Sequence, residues 1–217
     1  MNELNISYVV QILGLTVCVT LASTALSAMI GLPLGYLLSM SKTPVLRRMR
    51  SVISAMTGIP PVVAGLCIYF LLTRNGPLGG FRLLYSPFAM VMAQMVIVIP
   101  IIAAVAYPSF MKVRADIHET CLGLRLPKAK IFRLLLRECR TACVSAVMTG
   151  FGRAVSEVGA VMLVGGNIAG RTRVMTTAVL TETGRGNYAN AMLLGGLLLT
   201  LSLALNLFAG RFRGEHD

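Results

Sequence analysis

The sequence predicts an all-α integral membrane protein of about five transmembrane helices. Three observations carry that reading. Of 217 residues, 56% are hydrophobic and only 13% are charged, where a soluble domain has about 25% charged residues. Uncharged stretches recur along the chain at the length of a membrane span, roughly 20 residues. The 20 Lys and Arg sit mostly between those stretches. This composition excludes a soluble enzyme domain and a disordered chain. The net charge of +12 would suit nucleic acid, but basic residues in short loops are what membrane topology requires. No nucleic-acid partner is expected; membrane lipid is.

The first apolar stretch, residues 8–40, carries no charge. As one helix it would be about 50 Å long, so part of it tilts, bends or stands outside the bilayer. Pro33, between Gly31 and Gly35, is a candidate bend. No basic segment precedes the stretch and no cleavage site follows it, so it reads as a retained span rather than a signal peptide. The second stretch, 52–73, is interrupted by Pro60-Pro61, and the third, 83–111, holds Pro87, Pro100 and Pro108. The fourth covers 141–166 and the fifth 189–210. Residues 174–181 are too short to span and predict a loop helix or a re-entrant turn. Together, residues 1–217 read as a single transmembrane domain.

Orientation follows from the basic residues. Lys42, Arg47, Arg48 and Arg50 follow the first span. Eight more, from Lys112 to Arg140, follow the third, and Arg211 and Arg213 follow the fifth. The opposite loops hold only Arg74, Arg82, Arg171, Arg173 and Arg185. Fourteen against five places the N-terminus outside and the C-terminus in the cytoplasm. The five Cys have no metal-binding spacing and do not suggest a disulfide framework. No metal site is expected.

Two places hold charges or patterns that topology does not explain. Residues 112–140 form the longest cytoplasmic stretch and combine charge with roughly helical apolar spacing on either side of Pro127. Two short helices meeting at a bend are predicted, lying on the membrane or in a partner's groove. A merely solvated connector is the plainer alternative. Arg153 and Glu157 are the charges deep inside a span. An isolated charge at mid-bilayer costs at least about 2.5–3.5 kcal/mol. Their i,i+4 spacing predicts one helix face on which they reach each other. That face must look onto protein or water, either as a packing pair or as part of a pathway or gate.

The segment Glu119-Thr120-Cys121, with Leu122, Gly123, Leu124 and Arg125 after it, resembles the EAA loop in permease subunits of binding-protein-dependent ABC importers. The usual glycine falls on Arg125, unless the register slips to Gly123. The usual Leu-Pro falls on Arg137-Glu138. Arg153-Ala-x-x-Glu157-x-Gly-Ala, then Gly166-Asn-Ile-x-Gly-x-Thr172, is similar to permeases of the molybdate, tungstate and sulfate importers. Pro60-Pro61-Val62-Val63 and Gly76-Pro77-Leu78-Gly79 match the same group. Arg137-Glu138-Cys139-Arg140 and Thr172-Arg173-Val174-Met175 look most like the tungstate branch.

The resemblance implies a prokaryotic inner-membrane permease for a tetrahedral oxyanion, tungstate first and molybdate or sulfate next. It implies a homodimer with the pathway along its interface. Two cytoplasmic ATPase subunits would dock at the Glu119 segment, and an extracytoplasmic binding protein would select the anion. ATP and Mg would sit on the ATPase, with no cofactor on this chain. In the outer loop, Asn167, Arg171, Thr172 and Arg173 are candidates for contacting the anion or the binding protein. Gly165-x-x-x-x-Gly170-Arg171-Thr172 nearly spells a phosphate loop, but Arg replaces Lys and no nucleotide-binding domain follows. A passive anion channel, or a membrane enzyme using Glu157 or Glu119, remains the alternative of a different class. No paired carboxylates or nucleophile–base arrangement supports an enzyme.

Overall fold

A computed structural model describes residues 6–40, 43–123 and 127–210. Its long helices are α1 (Ile6–Ser39), α4 (Pro87–Gly123) and α9 (Tyr188–Gly210). Between them lie α2 (Pro44–Met56), α3 (Pro61–Leu72), α5 (Lys128–Glu138), α6 (Arg140–Val155), α7 (Gly159–Gly165) and α8 (Met175–Gly184). The described residues contain no strand. Helices α1, α4 and α9 are each long and apolar enough to cross a membrane. The pairs α2–α3 and α6–α7 bring the total to five if each bent pair counts as one span.

The prolines act differently in different places. Pro33 lies inside α1, and Pro100 and Pro108 lie inside α4, yet both helices continue. In lipid the backbone has no water to turn to, so a helix persists around a missing N–H when neighbours pack against it. Those neighbours are close. A Cβ on Gly31 would stand 3.0 Å from Ile102, and one on Gly35 3.2 Å from the Ala103 carbonyl. Pro60-Pro61, in contrast, does break its span. Pro60 is the N-cap of α3 and Pro61 its first residue, the position where proline's fixed φ and absent N–H cost least. The bend between α2 and α3 is 101°. Helix α4 starts similarly, with Pro87 after Ser86, whose Oγ accepts from the Ala89 N–H.

Helix α1 is packed through a polar stripe. Thr16, Thr20, Ser23, Thr24 and Ser27 are buried at helical spacing. They allow close approach to α4, the usual role of small residues between membrane helices. The ends of α1 are marked by different groups. Arg50 Nε donates to the Leu38 carbonyl and Arg114 Nη1 to the Ser39 carbonyl. These guanidinium groups complete the orphan carbonyls of the helix C-terminus. At the other end, Gln11 Nε2 donates to the Gly170 carbonyl. Arg50 and Arg114 on one side and the 166–173 loop on the other therefore lie at opposite ends of α1.

Residues 112–123 continue α4 instead of forming a separate short helix. The break then falls at Pro127, which caps α5. Leu135, Cys139 and Cys143 are buried beside Phe110 in a second cluster. The Cys139 Sγ donates to the Ser109 carbonyl at 3.6 Å. Burial pushes that thiol up from its ordinary value, so it acts as a packing group.

Candidate functional site

The site is the junction between α6 and α7. The fourth span does not run straight through it. Helix α6 ends at Val155, α7 starts at Gly159, and the two meet at 60°. Glu157 therefore lies in a break, not on a continuous helix face as the spacing predicts. No proline causes the break; side-chain hydrogen bonds replace the lost helical ones. Glu157 Oε1 accepts from the Ala160 N–H at 3.0 Å, satisfying an orphan donor at the start of α7. The Glu157 carbonyl accepts from Thr176 Oγ1, and Ser156 Oγ donates to the Arg153 carbonyl. Gln94 Nε2 donates to the Ala154 carbonyl while its Oε1 accepts from Ser23. One amide thus ties α1, α4 and α6 together.

Arg153 and Glu157 do meet, with Nη2 3.8 Å from Oε2. Their environments differ. The Glu157 side chain is 3% exposed and that of Arg153 38% exposed. The carboxylate is an anchor inside the fold, and the guanidinium extends from it to the surface. A small polar cavity, about 10 Å³, adjoins the carboxylate and is lined by Thr16, Thr20, Gln94 and Thr176 among others. That is room for one water centre. Irregular backbone at membrane depth is tolerated where it is buried in protein or lines a cavity, and this junction is built that way. Thr16 lies ten residues into α1, about 15 Å from its start.

The 166–173 loop uses most of its polar residues on itself. Arg173 Nε donates to Asn167 Oδ1, Nη2 to the Asn167 carbonyl, and Nη1 to Tyr8 Oη. Asn167 Nδ2 donates to Thr181. Thr172 is buried; its Oγ1 donates to the Gly165 carbonyl and accepts from the Ile168 N–H. The near phosphate-loop string is thus closed on itself by Thr172. Arg171 is exposed. Nearby, Glu182 accepts from Arg185 and Asn187. The Asn187 hydrogen bond chiefly holds its carboxyl below the ordinary value.

Glu119 to Gly123 lie in the last turns of α4. Their side chains, and Leu124 and Arg125 altogether, lie outside the described residues. Gln94 is the site residue that sequence patterning did not single out. Its signal was available, as a lone Gln in an uncharged span.

No protein-family model matches the chain. Individual proteins do. A "probable anion ABC transporter permease protein" of Haloferax volcanii is 36% identical, over 98% of this chain and 94% of its own. The chain belongs to the anion ABC transporter permease family. The tungstate uptake system permease protein of Peptoclostridium acidaminophilum is 37% identical, over 94% of this chain and 91% of its own. A sulfate transport system permease protein of Synechocystis is more distant, at 28%. The permease is thus a multi-pass protein of the prokaryotic inner membrane, and its relatives are transport subunits rather than enzymes.

Proposed function

We propose that this permease carries a tetrahedral oxyanion, tungstate, across the membrane as a homodimer whose interface holds the pathway. The observation that carries the reading is Arg153. It is held at a helix break within the fourth apolar stretch by a buried carboxylate, with its side chain partly exposed. A cation so presented meets an anion without trapping it, since the paired Glu157 tempers its charge. Conduction needs contacts weak enough to release. Relatives named for tungstate, at 37% and 30% identity, support this substrate over sulfate. Two ATPase subunits dock at the α4 end around Glu119 and bind ATP and Mg. An extracytoplasmic binding protein delivers the anion at the 166–173 loop end, where Arg171 is free to meet it. The chain itself binds no cofactor and forms one transmembrane domain.

The test is reconstitution in liposomes with the ATPase and a tungstate-binding protein. ATP-dependent uptake of tungstate is expected, with molybdate tested in parallel. Uptake without ATP or ATPase would make the protein a channel. Preference for molybdate would move the substrate assignment. Within the same preparation, Glu119→Lys reverses a charge at the docking segment. It is expected to leave ATP hydrolysis running while uptake falls about tenfold, a loss equivalent to 1.4 kcal/mol of coupling. Unchanged uptake per ATP would remove Glu119 from the docking segment.

A further inference from the structure

Arg74 and Arg82 take part in none of the contacts above. With Leu72, Gly79, Leu84 and Tyr85 they line a cleft of about 490 Å³. Both are exposed, and neither has an ion-pair partner among the described residues. The cleft lies at the same end of the bundle as the 166–173 loop, because the Tyr85 N–H donates to the Val164 carbonyl. At this end Glu182 is the carboxylate among the described residues, and it is already held by Arg185 and Asn187.

The walls are fixed. A Cβ on Gly76 or Gly79 would fall 2.2 Å from the Phe70 or Thr73 carbonyl oxygen, so the turn closes only with glycine. Arg82 and Tyr85 have φ of 51° and 60°, a conformation unfavourable for residues with a Cβ. The backbone thus holds Arg82 in a costly conformation at the cleft edge. Two unpaired guanidinium groups over apolar residues match a carboxylate, which they can bind in bidentate fashion. A small free anion would gain little from such exposed charges, which water and salt screen. A protein surface that covers the cleft excludes water and strengthens the pairs.

Tyr85 connects the cleft to the transport site. Its backbone is bonded to the end of α7, and its ring lies so close over Gly166 that a Cβ there would be 2.7 Å away. Helix α7 is seven residues long and begins at the Glu157 break. We propose that the Arg74–Arg82 cleft receives an acidic side chain of the extracytoplasmic binding protein, and that Tyr85 transmits this docking to α7. The proposal rests on the importer reading and its outward orientation of this end.

The experiment uses the complete complex in lipid nanodiscs, with the tungstate-loaded binding protein as probe. Its dissociation constant and the ratio of stimulated to unstimulated ATPase rate are measured. R74E/R82E is expected to raise the dissociation constant about tenfold or more, to flatten its salt dependence, and to bring the ratio towards one. R74Q/R82Q, a milder change if the reversal impairs assembly, should move both in the same direction. Y85A, which also removes part of the cleft wall, should weaken binding less than R74E/R82E, yet lose stimulation even at saturating binding protein. An unchanged dissociation constant in both arginine double variants would overturn the cleft. Parental stimulation in Y85A would overturn the transmission. If the parent complex itself is not stimulated, the importer reading falls and this proposal with it; parental stimulation kept by the variants sinks the cleft alone.

Discussion

Glu157→Ala is expected to reduce tungstate uptake to background and to lower the yield of assembled complex. The carboxylate is 3% exposed and serves two partners, the Ala160 N–H and Arg153. Its removal orphans a buried donor, a loss of about 1–3 kcal/mol. Arg153 is partly exposed, so the ion pair itself adds at most about 1 kcal/mol after screening. The larger effect falls on geometry. Without the carboxylate no other group among the described residues pairs with the guanidinium, and the Ala160 N–H at the start of α7 loses its acceptor. Glu157→Gln separates the two roles. Its amide oxygen can still accept from Ala160, so assembly should approach the parent, while Arg153 loses its counter-charge and uptake falls. Complex yield on size exclusion and initial uptake rate are the readouts. Parental uptake in the Gln variant would reduce Glu157 to a cap.

Much of this architecture is legible in the sequence because the bilayer sets a length that apolar runs must meet. The Pro60-Pro61 break is legible too, since a proline pair states its own consequence. The break at Ser156–Val158 is not. It holds no proline, and its cause is tertiary: Gln94 from α4, Thr176 from α8 and the Glu157 side chain supply the bonds that a straight helix would have made. Residue spacing finds that Arg153 and Glu157 pair, but not which is anchored and which is presented. That depends on neighbours far away in sequence. The α1 stripe from Thr16 to Ser27 was visible as small polar residues at helical spacing, yet mean hydropathy averages it into an apolar run. In the 166–173 loop, residue type suggests anion contact at four positions. The fold uses Asn167, Thr172 and Arg173 to build the loop and leaves Arg171 exposed.

Gly65→Val is expected to abolish uptake while leaving the Arg153–Glu157 residues themselves untouched. A Cβ at Gly65 would lie 2.6 Å from the Ala160 Cα, and one at Gly159 2.7 Å from Val62. The two broken spans, α3 and α7, thus meet backbone to backbone next to the Glu157 break. Overpacking of this kind costs typically 1–3 kcal/mol when the surroundings can yield, and here the obstacle is main chain. Valine should push α7 away from α3 and carry the Ala160 N–H off the carboxylate it bonds. Gly65→Ala should show the same loss in milder form. The decisive variant adds Ala160→Gly. Removing the Ala160 methyl relieves the contact at 3.0 Å but not the closer one to Cα, so Gly65→Ala/Ala160→Gly should recover only part of the uptake lost by Gly65→Ala. Full recovery would show that the α3–α7 contact is made by side chains, with enough freedom between the helices for α7 to move independently of α3.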